Sequence, residues 1–159
     1  MLTVGVVRSW AEEVLRQLEV SPGPALEVTD SSVGTHAEQA PPEPDGPYRS
    51  SLRLDAGTQD GPGPEWEVAA GAVEVRCKHE DGSVTLVTLD VSSRAPEAVV
   101  LLAEQLQDGV VESSGGRPLP PCPGHGHPAV PRVVEGVASW VCPDTGLGWP
   151  VLPSAGGAG

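Results

Sequence analysis

Val7, Trp10, Ala11, Val14, Leu15 and Leu18 recur at the three- and four-residue spacing that lines one face of a helix. Arg8, Glu12 and Arg16 follow one another at i, i+4 on a second face. The pattern predicts an amphipathic helix over residues 3–20, stopped by Ser21-Pro22-Gly23-Pro24 and packed on the sheet of its own domain. Residues 25–29 read as a short strand. Residues 30–47 carry almost no large apolar side chain and several prolines, the composition of an exposed, mobile loop. In residues 48–55, Tyr48, Ser50, Leu52 and Leu54 alternate with Arg49, Ser51, Arg53 and Asp55, as in a half-buried strand, and a Gly/Pro stretch follows over residues 57–64.

The strongest strand pattern covers residues 66–79 and 83–92. Val73, Val75 and Cys77 alternate with Glu74, Arg76 and Lys78, and Glu80-Asp81-Gly82 lies between the two runs, its Asp-Gly supplying the positive backbone angles of a tight hairpin. Ala95-Pro96-Glu97 then opens a second helix whose apolar stripe, Val99, Leu102, Ala103 and Leu106, is expected to end at Asp108-Gly109. A helix, an antiparallel sheet of three or four strands and a second packed helix make an α+β domain over residues 1–112.

Past a Gly- and Pro-rich linker at residues 113–121 the composition changes. Cysteine and histidine cluster, and residues 132–142 read as a hairpin turning at Glu135-Gly136. The expectation is a separate small hairpin module over residues 122–152 and a disordered tail over residues 153–159.

Composition narrows the functional classes. Nine basic against 22 acidic side chains give a net charge of −13, which repels a phosphate backbone and argues against nucleic acid as a partner. With 20 Gly, 18 Pro and no Phe, much of the length is suited to loop and only one modest core is expected. The first residues lack the basic start, uninterrupted apolar centre and cleavage site of a signal peptide. No stretch reaches the roughly 20 apolar residues of a membrane span. Three well-separated cysteines, Cys77, Cys122 and Cys142, do not make a disulfide framework, and a cytoplasmic chain is expected.

One segment carries chemistry. Cys122-Pro-Gly-His125-Gly-His127-Pro precedes the hairpin, and Trp140-Val-Cys142-Pro-Asp144-Thr-Gly follows it. Zinc is commonly held by two ligands from each of two tight turns that a hairpin brings together. Cys122 and His125 have the spacing of one such turn. Cys142-Pro-Asp-Thr-Gly has the form of a zinc-ribbon knuckle without its second cysteine. His127 would complete a Cys122, His125, His127 and Cys142 set, with Asp144 or water as the alternative fourth ligand. A metal-free reading also stands, with exposed histidines and cysteines packed as small hydrophobes.

Over residues 122–146 the chain resembles small actinobacterial proteins that carry a C-terminal Cys-Pro-x-His-x-His-Pro segment followed by Trp-x-Cys-Pro. The absence of Asn and Ile and the single Lys fit such a GC-rich source. The resemblance implies a small metal module and no particular activity.

Elsewhere, Cys77 and His79 lie on one face of a strand, where core packing accounts for them. There is no Walker A loop, no Gly-x-Gly-x-x-Gly after a strand, no Gly-x-Ser-x-Gly and no His-Glu-x-x-His. The sequence therefore favours a non-enzymatic binding or adaptor protein with a structural zinc site and a protein partner. Trp140 and Trp149 are candidate interface anchors or mini-core residues. A subunit of a larger phage-derived or secretion-type assembly and a small metal-dependent hydrolase are the alternatives.

Overall fold

The Thr3 side chain accepts from the Val6 backbone N–H and starts helix α1, Val4–Gln17, satisfying one of the orphan donors of its first turn. The computed structural model describes residues 1–19, 23–31 and 71–152. The strand expected at residues 48–55, the loop and Gly/Pro stretch around it and the tail at residues 153–159 lie outside the described residues. Helix α1 buries Val7, Ala11, Val14 and Leu15, the stripe read from its spacing, and Leu18 just beyond its end.

Strands β1 (Ala25–Ser31), β2 (Ala72–Lys78) and β3 (Val84–Asp90) form an antiparallel sheet in the order β1-β2-β3. Alternation decides its faces. Val28, Val73, Val75, Cys77, Val87 and Leu89 are buried inward, while Glu27, Arg76, Lys78, Val84 and Leu86 point out and are exposed. Only Gly82 takes a positive φ in the β2–β3 connection. His79 N–H donates to Ser83 O and Gly82 N–H to His79 O, so the loop is the three residues Glu80-Asp81-Gly82 expected between the two runs. Asp81 accepts from Ser83 N–H and Oγ–H within that loop, and these bonds hold its carboxyl below the usual range.

Helix α2 spans Ala95–Ser113, four residues past the expected stop at Gly109. Gly109 is there for close approach and not as a terminator. An added Cβ would overlap Thr85 Oγ1 and stand 2.9 Å from His79 Nε2. The glycine lets α2 lie directly on β3, and the helix ends at Ser114 where Gly115 and Gly116 take positive φ.

Strands β4 (Val130–Val134), β5 (Val137–Val141) and β6 (Gly148–Pro150) make a second antiparallel sheet in the order β4-β5-β6. Glu135 and Gly136 both take positive φ, the requirement of the two-residue hairpin expected here. The architecture is α+β, with two helices and two three-stranded antiparallel sheets.

The second sheet shares its core with the first. Leu119, Cys122, Ala129, Ala138, Trp140, Cys142 and Val151 belong to the same buried cluster as Val75, Leu102 and Leu106. Two glutamines tie the halves together. Buried Gln107 of α2 donates to Leu119 O (2.8 Å) and Ala129 O (2.6 Å). Gln17 of α1 donates to Val151 O (2.6 Å) and accepts from Trp140 Nε1–H (2.7 Å). Residues 113–121, expected as a linker, begin inside α2 and carry the buried Leu119 and Pro120. The second sheet is thus a layer on α1 and α2, not an independently packed body.

Candidate metal centre

Cys122 and Cys142 each open a turn, and the two turns share one of their two hydrogen bonds. Cys122 N–H donates to His127 O and Cys142 N–H to Leu147 O, each five residues on. Cys122 O accepts from His125 N–H and Cys142 O from Gly146 N–H. Gly124 and Gly146 supply the positive φ values that close the turns. Aligned this way, Cys-Pro-Gly-His-Gly meets Cys-Pro-Asp-Thr-Gly, and Thr145 occupies the place that His125 holds in the first turn.

The pairing of β4 with β5 places the turns side by side, since Val130 at the start of β4 is opposite Val141 at the end of β5. A bridge between Pro121 and Pro128 closes the base of the first turn. Donor atoms of Cys122, His127 and Cys142 then lie within 4.8 Å of one another, as do those of His125, His127 and Asp144. His125 Nδ1 is 3.2 Å from Cys142 Sγ. Ligands at roughly 2.0–2.3 Å from one tetrahedral ion stand about 3.3–3.8 Å apart, so this cluster is within metal-binding distance and its donor types suit zinc.

Of the residues named from sequence, Cys122, His127 and Cys142 form one group, and His125 and Asp144 meet His127 in a second. Cys122 and Cys142 are buried at its floor, at 2% and 4% exposure, and exposed Asp144 sits at the rim. Asp144 Oδ2 is 3.0 Å from His127 Nε2, and His127 Nδ1 is 3.2 Å from Pro128 O.

The electrostatics are asymmetric. The Thr145 hydroxyl, then the backbone N–H groups of Thr145 and Asp144 and the His125 ring, hydrogen-bond the Cys142 sulfur and lower its pKa to about 6. Burial and then the neighbouring Cys142 push the Cys122 thiol up. The Pro128 carbonyl and then the Asp144 carboxylate raise His127. The two sulfurs are thus shifted in opposite directions, and a divalent cation held by both would favour loss of the Cys122 proton. Thr145 was missed in sequence; its signal is the repeat of the Cys-Pro-x-x-Gly frame at the position of His125.

Trp140 is not a surface anchor. It is fully buried and its indole N–H is spent on Gln17. Trp149, its cross-strand neighbour, is half-buried against the same core. Cys77 is core as expected, and burial pushes its thiol up to about 11. His79 is held between Thr85 Oγ1 (2.8 Å) and Ser113 Oγ (3.4 Å), beside a cleft of about 160 Å³ that Glu19, Glu80 and Arg117 also line. Neither that cleft nor the one between Arg8 and Leu26 is lined by His125 or His127. Among the described residues, no helix is long and apolar enough to cross a membrane.

Comparison with protein-family models, with curated proteins and with solved structures gives no match to this chain.

Proposed function

We propose that this chain is a non-enzymatic binding protein whose two C-terminal turns are clamped by a structural zinc ion held by Cys122, His125, His127 and Cys142. The observation that carries the reading is the approach of Cys122, His127 and Cys142 to within 4.8 Å of one another, with His125 Nδ1 3.2 Å from the Cys142 sulfur, from two turns that the β4–β5 hairpin sets side by side. Asp144 acts beside the metal, orienting His127 as a carboxylate partner commonly orients a zinc-bound imidazole. Four protein donors leave no position for a substrate water, which favours a structural over a hydrolytic role.

Binding is assigned to the outer face of the first sheet and to the acidic surface. Val84 and Leu86 are half-exposed there, at 51% and 50%, and the register places Lys78 and Arg76 directly beside them. Such a mixed apolar and cationic patch on a chain of charge −13 suits a protein partner.

Elemental analysis of protein purified without a metal-binding tag tests the zinc reading. About one zinc per chain, lost in Cys142→Ser, is expected; metal-free wild type would overturn it. Solution size tests the binding reading, because an adaptor is a monomer or dimer, whereas an assembly subunit self-associates further.

A further inference from the structure

We propose that Cys122 and Cys142 form an oxidative modification site, at which a hydroperoxide couples the two thiolates into an intrachain disulfide and expels the zinc. The proposal rests on the zinc reading above and adds the chemical class that acts on that site. Both sulfurs belong to one donor group whose atoms lie within 4.8 Å of one another, so no third cysteine has to be recruited. Cys77, fully buried in β2, is not in that group.

The residues flanking the pair, Pro123, Pro143 and Asp144, are exposed. The two cysteines, buried at 2% and 4% exposure, thus lie beneath turns whose own residues face solvent.

The step balances without another redox partner. One thiolate attacks a peroxide oxygen, breaking the O–O bond and giving a sulfenic acid and hydroxide. The second thiolate attacks that sulfur, forming the S–S bond and releasing a second hydroxide. Two protons convert the hydroxides to water, the two thiolates are oxidised by two electrons, and the peroxide is reduced. A zinc ion held there would then keep only the imidazoles of His125 and His127, having lost both anionic sulfur ligands, and would leave.

The fold outlasts this change because the backbone around the site is held without the metal. Cys122 N–H to His127 O, Cys142 N–H to Leu147 O and Ala129 N–H to Pro120 O are protein bonds, and Trp140 and Val151 remain anchored on Gln17. Oxidation therefore alters the rim turns at residues 123–128 and 143–147, and the shared core stays in place. This makes the site a reversible switch, not a route to unfolding.

The test titrates hydrogen peroxide into zinc-loaded full-length protein. It follows zinc with a chromogenic chelator, linkage by peptide mass mapping and helix content by circular dichroism. The expected result is loss of the one bound zinc per chain, a peptide linking Cys122 to Cys142 with the mass of two hydrogens missing, a free Cys77 thiol and unchanged helix content. Dithiothreitol with added zinc restores the starting state.

Zinc retained with both thiols intact would overturn the proposal. So would zinc lost with oxygen added to one cysteine and no cross-link, or a cross-link through Cys77. Running the same titration on chelator-stripped protein separates this proposal from the zinc reading. If the chain never held zinc, that reading alone fails, and the Cys122–Cys142 linkage still decides the pairing.

Discussion

Replacing Gly109 with alanine sets two known effects against each other, and the structure decides which is larger. In an open helix, glycine to alanine gains about 1 kcal/mol of helix propensity. At this position the new Cβ would overlap Thr85 Oγ1, come to 3.1 Å from Thr85 Cβ and stand 2.9 Å from His79 Nε2. Relief requires Thr85 to rotate, which breaks its 2.8 Å hydrogen bond to His79, or requires α2 to lift from β3. Overpacking of a closed contact costs about 1–3 kcal/mol and the lost hydrogen bond about 1 kcal/mol more. Gly109→Ala is therefore expected to destabilise the protein by about 2 kcal/mol net, read as a lower urea midpoint at unchanged slope. Thr85→Ala removes the colliding oxygen, so the double variant should be less destabilised than the sum of the singles, with a coupling of about 1 kcal/mol. A Gly109→Ala protein more stable than wild type would refute the packing of α2 on β3 at this glycine.

Trp140→Phe removes the donor to Gln17 and part of a fully buried ring, for an expected loss of about 2–3 kcal/mol. Because the sheets share one core, the loss should appear as one cooperative transition in both tryptophan fluorescence and helix signal. Two separated transitions would show independently folding halves. Removing zinc with a chelator should lower stability by roughly 4 kcal/mol when free zinc had been a thousandfold above its Kd, as seen by calorimetry with and without chelator. Stability of the metal-free protein should depend on pH in two opposed steps. Cys142 is lowered to about 6 from 9.0, so its contribution is complete above pH 9 and is lost as pH falls through 6. Cys77 is raised from 9.0 to about 11, so both states keep its proton below pH 9; between pH 9 and 11 the unfolded chain ionises first and stability falls, and the raised Cys122 thiol acts in the same direction. Denaturation midpoints from pH 5 to 11, compared with Cys77→Ala for the upper limb, check both signs.

Several features were legible because they follow from neighbours in sequence. The stripe from Val7 to Leu18 specifies the buried face of α1, the alternation at Val73, Val75 and Cys77 specifies that of β2, and Glu135-Gly136 specifies a two-residue hairpin. The cluster of metal-capable donors was legible for the same reason: Cys-Pro-Gly-His and Cys-Pro-Asp-Thr-Gly encode turn geometry in themselves, and a hairpin between them brings them together.

Gly109 was misread as a helix stop because local propensity treats a glycine alike wherever it stands, and only the approach of β3 gives it a different purpose. Trp140 likewise carried no sign of its partner, since Gln17 is 123 residues away and a glutamine in a helix looks like any exposed polar residue. Periodicity and turn chemistry, acting within a few residues, determined from sequence the helices, the hairpins and the set of metal-capable donors. Tertiary structure alone decided that the second sheet would lie on α1 and α2 and share their core. That choice depends on shape complementarity and on the buried Gln17 and Gln107 hydrogen bonds, which join positions that no local pattern relates.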